Sequence, residues 1–297
     1  MDRAKRVGEF WSYLPTFRLV AELESASGAA RVLGLTPSAV SKALCTLEAS
    51  IGQPLFNRAG RELVLNDAGA HLLTAVRTSM RSVDEGLSAL RGGRLVGPVR
   101  ISSWEPMTSC VVPRLVGDLL TRFPSVVPVL TDVPRDRVTH ALLDGSSDLV
   151  LTTSAPARRS ADLAVRRIAS CKTSLYAPRG HPILSKKQLG PGSFESEGFV
   201  SVGEDGGAWP TEIPRAVRAQ AGDLDAAAKI AAVAGLLVVL PEMCVANAPE
   251  LRLVRVPSGV PRPLTLYGVW RKSFEEQSRA EIALELAGKI VDELASP

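Results

Sequence analysis

Four side chains between Ser38 and Cys45 have types and spacing suited to touching a polar partner. At about 100° per residue, a helix running from Thr36 towards Phe56 places Ser38, Ser41, Lys42 and Cys45 on one side. Val40, Leu44, Leu47 and Ile51 fall in a narrow arc on the other, at spacings of four, three and four. The outer face is short, hydroxyl-bearing and nearly uncharged, where a solvated face would carry Glu and Lys. Two readings suit it. In the major groove, short side chains let the helix axis approach the base edges. Hydroxyls there can donate to or accept from bases and phosphates, and Lys42 can serve a phosphate or a guanine. The other reading is a small-residue face packed against a second helix.

Catalytic chemistry finds little support. Asp144, Asp148, Glu204 and Asp205 are candidate acids or bases, but loop carboxylates are ordinarily solvated. There is no G-x-S-x-G elbow, Walker loop or H-E-x-x-H, and no strand precedes "GGRLVG". His71, His140 and His181 are scattered without zinc spacing. Cys45, Cys110, Cys171 and Cys244 lie far apart with no C-x-x-C pair, which reads as separate reduced thiols in a cytoplasm, with a redox-sensing pair as the other reading. No enzyme activity, catalytic residue, metal or cofactor is expected.

With 297 residues, the chain is long enough for two or three domains. Its 45% apolar and 22% charged content suits a globular protein. A net charge of +4 permits an anionic partner without establishing one. Arg3, Lys5 and Arg6 are not followed by the apolar run of a signal peptide. The longest apolar stretch, "IAAVAGLLVVLP", falls short of the roughly 20 residues of a bilayer span. The expectation is a cytoplasmic protein without a membrane partner.

The elements that must position the Ser38–Cys45 face are legible nearby. Leu14, Phe17, Val20 and Ala21 recur at helical spacing, giving a helix from Tyr13 to about Glu24. Ser27 is expected to cap a short second helix, Gly28 to Leu33, ended by Gly34. Thr36 caps the next, with Pro37 in its first position. This is helix-turn-helix spacing. Leu55-Phe56 and Leu63-Val64-Leu65 then read as two short strands around a basic tip of Asn57, Arg58, Gly60 and Arg61. Arginines on such a wing suit a phosphate backbone or the minor groove.

The ordered residues through "LPTFRLVAELESASGAARVLGLTPSAVSKALCTLEASIGQPLFNRAGRELVLNDAGAHLL" resemble the winged helix-turn-helix of LysR-type transcriptional regulators. Ala29, Ala30 and Leu33 match the second helix, Ser38 to Lys42 the recognition helix, and Ile51 to Arg58 the entry to the wing. Leu65-Asn66-Asp67-Ala68-Gly69 stands where the family opens its next helix. The chain departs from the pattern at Pro37, Ala26, Cys45 and Thr46, and in a ten-residue extension before the first helix. The DNA-reading set is expected to be Thr36, Ser38, Ser41, Lys42 and Cys45, with Arg58 and Arg61 on the backbone. The implied partner is double-stranded operator DNA, with RNA polymerase as a further partner for an activator.

Leu73, Val76, Met80, Val83, Leu87 and Leu90 follow at alternating spacings of three and four, a two-per-heptad seam. Asn66 or Asp67 can cap its start, and Gly92-Gly93 ends it. One reading is a long helix lying on its own domain. The resemblance implies a linker helix that pairs subunits into a dimer, with a tetramer as a further possibility.

Beyond "GGRLVGPVRISS", helices and strands alternate, as in parallel β-α units. "VRISS", "FPSVVPVL", "LLDGSSDLVL", "HPIL", "AGLLVVLP" and "LTLYGVW" resemble, in order, the effector domain of the same family. That implies two Rossmann-like α/β lobes akin to periplasmic binding proteins. The expected division is 1–65 for the winged helix, 66–93 for the linker and 94–297 for the effector domain. Lobe I takes about 94–156 and 265–297, and lobe II about 157–264. A cleft where strand ends converge should take a small, anionic effector. Ser102, Ser103, Trp104 and Thr108 are expected to line it from one side, and Val202 and Gly203 from the other. Trp104 can stack on a planar ligand or fill the cleft. A regulator without effector response, a nucleoid-like binder, and an enzyme or solute-binding protein with a fused winged helix are the competing readings.

Overall fold

The computed structural model describes residues 8–59, 62–90, 95–155, 160–202, 208–256, 259–272 and 278–295. The chain divides into two compact units, Met1–Leu90 and Arg91–Pro297.

In the first unit, α1 (Leu14–Leu23) and α2 (Ala26–Leu33) lead into α3 (Pro37–Ile51). The cap of α2 is Ser25, not Ser27: its side chain accepts from the Gly28 amide at 3.0 Å. Ser27 instead shares a hydroxyl hydrogen bond with Ser25. Gly34 ends α2 at φ 65°, where a side chain would be strained, and its amide donates to the Ala30 carbonyl. Thr36 caps α3 as its type and position suggest, accepting from the Ala39 amide at 3.2 Å. Phe17, Val20, Val40 and Leu47 are fully buried and form the centre of this unit's core.

The wing strands are β1 (Phe56–Ala59) and β2 (Glu62–Leu65), antiparallel, with Arg58 opposite Leu63. They run further than the apolar residues indicate, so Asn57 and Arg58 belong to a strand and not to the tip. Cross-strand pairing, which hydropathy does not encode, extends the ladder. The Glu48 carboxylate accepts from the Leu55 amide at 2.7 Å and ties α3 to the wing. Asn66 caps α4 (Asp67–Leu90), its Oδ1 accepting from the Gly69 amide at 2.9 Å.

The second unit holds two five-stranded sheets. The first contains β3 (Gly97–Ser103), β4 (Val126–Thr131), β5 (Leu149–Thr152), β6 (Leu163–Cys171) and a late strand, Leu264–Arg271, in the order β4-β3-β5-late strand-β6. Two helices, α5 (Met107–Cys110) and α6 (Val112–Arg122), follow β3, and α7 (Val138–Asp144) follows β4. The second sheet is built from β7 (Thr173–Pro178), β8 (Gly198–Val202), β9 (Ala216–Ala221), β10 (Leu237–Pro241) and β11 (Leu251–Leu253). Its order is β11-β7-β10-β8-β9, and α8 (Leu224–Ala234) lies between β9 and β10 in sequence. The late strand is β12, and α9 (Arg279–Ala295) closes the chain.

Three differences from the sequence reading stand out. The sheets are mixed, not wholly parallel: β12 runs antiparallel to β5 and β6, and β7 antiparallel to β10 and β11. β6 belongs to the first sheet, so the chain changes sheets at Lys172 and not near residue 157. And Cys110 is disulfide-bonded to Cys244, with Cα atoms 5.7 Å apart, so the pair and not four separate thiols is what the fold contains. The two are 134 residues apart in sequence, and only the packing of α5 against the turn after β10 brings them together. Cys45 and Cys171 remain free.

Candidate DNA interface and effector cleft

Ser38, Ser41, Lys42 and Cys45 are exposed on α3, while Val40, Leu44 and Leu47 are buried beneath them. The two faces read from sequence are thus the exposed and buried faces of one helix. Thr36 and Ser38 share a hydroxyl hydrogen bond of 3.0 Å at its start, so part of the hydroxyl set also serves the cap. Arg58 has its backbone in β1. Its side chain, and the whole of Arg61, lie outside the described residues.

The apolar stripe of α4 divides in two. Leu73 and Val76 are buried in the first unit's own core, at 7% and 2% exposure, and Met80 packs against its edge. Buried within this unit's core, those two offer little surface to a partner subunit. Val83 and Leu87 are exposed at 47% and 50%. The Leu90 side chain lies outside the described residues.

In the second unit the parallel strands β3, β4 and β5 end on one side, as do β8, β9 and β10. Residues at or just past those ends wall a cavity of about 600 Å³: Trp104, Arg135 and Thr153 from the first lobe, Val202, Gly222 and Pro241 from the second. Carboxyl ends of parallel strands are where α/β folds bind ligands, because connecting loops diverge there and leave a crevice. The volume suits a small organic molecule. Pro106, Leu224, Val239 and Leu264 make much of the wall apolar.

Of the six residues assigned to the effector from sequence, Trp104 and Val202 reach this wall. Ser102 does not. It is buried at 1% exposure, its hydroxyl bonded to Thr131 at 2.7 Å and Ser147 at 3.1 Å within the first lobe. Strand alternation turns Ser102 into the lobe. Ser103 and Thr108 bond each other at 2.9 Å and are not among the residues walling the cavity. The helix whose start they were to mark is only the four-residue α5. Gly203 lies outside the described residues.

Sequence reasoning missed Glu105, Arg135, Trp209 and Arg215, all of which face the cavity. The Arg135 guanidinium lies 5.1 Å from the Trp104 ring centroid. Across the cleft, Arg215 lies 5.7 Å from the Trp209 centroid and 5.6 Å from that of Phe199. Trp209 is held in a cluster of edge-to-face rings with Phe194 and Phe199, and its indole N–H donates to the Ile213 carbonyl at 2.9 Å. Desolvation lowers the Arg215 pKa, yet a guanidinium stays charged. Asp136 adjoins Arg135 on the same wall. Glu105 is half-buried. Its Oε1 accepts from Ser109 at 2.5 Å, and its buried Oε2 has no hydrogen-bond partner among the described residues. Burial pushes its pKa above the usual carboxylate value. Arg135 was open to inference, as a basic residue just past a parallel strand. Trp209 and Arg215 carry no sequence signal, since "GEDGGAWPTEIPR" has neither periodicity nor a motif.

A family model described as a bacterial regulatory helix-turn-helix protein of the lysR family matches residues 11–70. A second, the LysR substrate binding domain, matches residues 92–289. The chain belongs to the LysR family of transcriptional regulators. It is a DNA-binding regulator with a domain through which a small-molecule effector acts. A "probable hydrogen peroxide-inducible genes activator" of Mycobacterium xenopi is 31% identical over 186 residues, 60% of this chain and 97% of that protein. The transcriptional regulator GalR of Pseudomonas putida is 28% identical over 286 residues, 91% of this chain and 71% of that one. Full-length OxyR from Pseudomonas aeruginosa superposes with a TM-score of 0.74 at 17% identity, covering 96% of both chains. CbnR complexed with its target DNA gives 0.62 at 22% identity, covering 97% of this chain and 100% of that one. Both share the fold. No helix among the described residues is long and apolar enough to cross a membrane.

Proposed function

We propose that this regulator reads a specific operator through Ser38, Ser41 and Lys42, with Thr36 and Cys45 at the margins of the contact. Arg58 and Arg61 hold the phosphate backbone. The supporting observation is the exposed, short-chained face of α3 set over one in which Val40, Leu44 and Leu47 are buried. Such a face lets the helix axis approach base edges, which then take up the hydroxyl hydrogen bonds. The protein acts in the cytoplasm as a dimer or tetramer, without catalytic activity or a cofactor, and an activating role would add RNA polymerase as a partner. Its half-sites lie on one DNA face, spaced near a whole number of turns of about 10.5 bp. The effector is an anion, a reading supported by the two arginines on the cavity wall.

Genome-wide selection of bound fragments with purified protein, followed by footprinting, gives the operator. Ser41→Ala should then cost about 1–3 kcal/mol at that site if it reads a base. Arg61→Ala should weaken binding to all sequences and flatten the salt dependence. Unchanged operator binding by both Ser41→Ala and Lys42→Ala would show that α3 is not the reading helix.

A further inference from the structure

The Cys110–Cys244 bond joins the two lobes beside the wall of the cavity. Cys110 ends α5, a single turn past Pro106, and Pro106 lines the cavity from the first lobe. Cys244 lies in the turn Glu242–Asn247, which follows Pro241, a wall residue of the second lobe. The chain itself crosses between the sheets at Lys172 and returns between Leu253 and Leu264. Those crossings are tied to each other, the Thr173 hydroxyl donating to the Arg262 carbonyl at 2.7 Å. Lobes joined only by crossing strands can hinge, because the strands absorb the rotation and each sheet stays intact. The disulfide is a covalent tie between the lobes beyond those strands. The Glu242 amide donates to the Lys172 carbonyl at 2.9 Å, so the turn carrying Cys244 is anchored at the first crossing and cannot follow α5 far.

We propose that Cys110 and Cys244 are a thiol–disulfide exchange site whose substrate is a low-molecular-weight disulfide and whose closure fixes the width of the cleft. Cys244 lines a small indentation with Ser109, Asp225 and Ala248, which gives a reagent its approach. The Cys244 thiolate attacks one sulfur of the small disulfide and expels the other as a thiolate, leaving a mixed disulfide. The Cys110 thiolate then attacks the Cys244 sulfur and expels the second thiolate. Two protein thiols lose two electrons, the small disulfide gains them as it becomes two thiols, and the two thiol protons pass to the leaving thiolates. Excess small thiol runs both steps backwards. Each lobe keeps its own five-stranded sheet throughout, so the bond opens without unfolding either lobe. Cys171 does not compete. Its thiol lies 3.2 Å from the Met243 Sδ, and burial pushes its pKa up to about 11, which leaves almost no thiolate. In the oxidised protein the lobes hold one spacing. In the reduced protein only the apolar packing of Cys110 and Val111 with Leu224, Ala228 and Cys244 holds that wall shut.

The test uses the full chain carrying Trp11→Phe, which removes an exposed tryptophan of the first unit. The protein is equilibrated with reduced or oxidised glutathione, alkylated for mass mapping, and titrated with acrylamide. Acrylamide is a neutral quencher that reaches Trp104 and Trp209 through the cavity they line. Oxidised glutathione should form the Cys110–Cys244 bond, and reduced glutathione should open it in the folded protein. The quenching constant should rise about twofold or more on reduction, as the open arrangement gains population. Cys110→Ser and Cys244→Ser should each quench like the reduced parent in both buffers, with Cys110→Ala and Cys244→Ala covering a buried serine that prevents folding. Cys171→Ser should respond as the parent does. A bond that reduced glutathione cannot open in the folded protein, or that oxidised glutathione cannot form, overturns the exchange site. Equal quenching in the two states, with the bond shown to cycle, overturns its hold on the cleft. A response that survives in the Cys110 and Cys244 variants but is lost in Cys171→Ser overturns the pair.

Discussion

Gly69 lies with its Cα against the main-chain carbonyl of Leu55, and a Cβ there would clash with that oxygen and with the Leu65 side chain. The carbonyl cannot move aside cheaply. It accepts from the Asn66 amide at 3.1 Å, and the Leu55 amide is tied to the Glu48 carboxylate. Gly69→Ala should therefore destabilise the first unit by roughly 1–3 kcal/mol, the usual cost of overpacking. Denaturant melts that leave this unit's midpoint unchanged would refute the close approach.

Substitutions along α4 should separate folding from assembly. Leu73→Ala opens a cavity in the first unit's core and should lower its stability by about 2–5 kcal/mol. Val83→Asp with Leu87→Asp alters exposed positions and should spare stability while shifting sedimentation towards the monomer. A double variant that sediments like the parent removes this half of α4 from the interface.

Much of the first unit was legible in the sequence because its signals are local. Thr36, Pro37, Gly34 and Gly52 punctuate helices within a few residues of where they act. The stripe of α4 was legible as a pattern but not as a partition, since hydropathy does not say whether Leu73 meets its own domain or another chain. The cleft was legible as a place, through the strand ends that deliver Trp104 and Val202. Its chemistry was not, because Arg135 and Arg215 meet it from loops on separate lobes. The same distance in sequence hid the Cys110–Cys244 bond and the short strands β9 and β11.

Glu105 gives the second unit a pH dependence of definite sign. Its folded-state pKa lies above that of the unfolded chain, chiefly because burial disfavours the carboxylate. The folded protein thus binds that proton more tightly, and stability falls as pH rises through the window above 4.5. The penalty is fully present once the pH stands above the raised, folded-state pKa. Glu105→Gln should raise stability there by about 1 kcal/mol or less, with the gain shrinking as pH falls towards the ordinary carboxylate value. Melting curves with an equal gain at acidic and neutral pH would contradict this origin.

The Cys110–Cys244 bond closes a loop spanning both sheets. Non-reducing peptide maps of air-exposed protein should join the two cysteine-bearing peptides. Cys244→Ser should cost about 2–4 kcal/mol relative to the oxidised parent and almost nothing relative to the reduced one. A map in which Cys244 pairs with another cysteine, or with none, rules out this bond. Cys171 should resist alkylation in the folded state, since burial pushes its thiol up to about 11.

The place of β12 has a consequence for the order in which the protein is made. β12 lies between β5 and β6, bonded to both, although those two are separated by only a short connection. During synthesis the first sheet therefore stays open at its middle until Leu264 and the residues after it have emerged. The first unit, complete by Leu90, has no such wait. A chain ended by a late stop codon would carry an intact DNA-reading unit beside a sheet with two unpaired strand edges. Such edges template aggregation. Late truncations should therefore behave unlike simple losses of the gene, leaving a product that can still occupy operators but can no longer be told when to act.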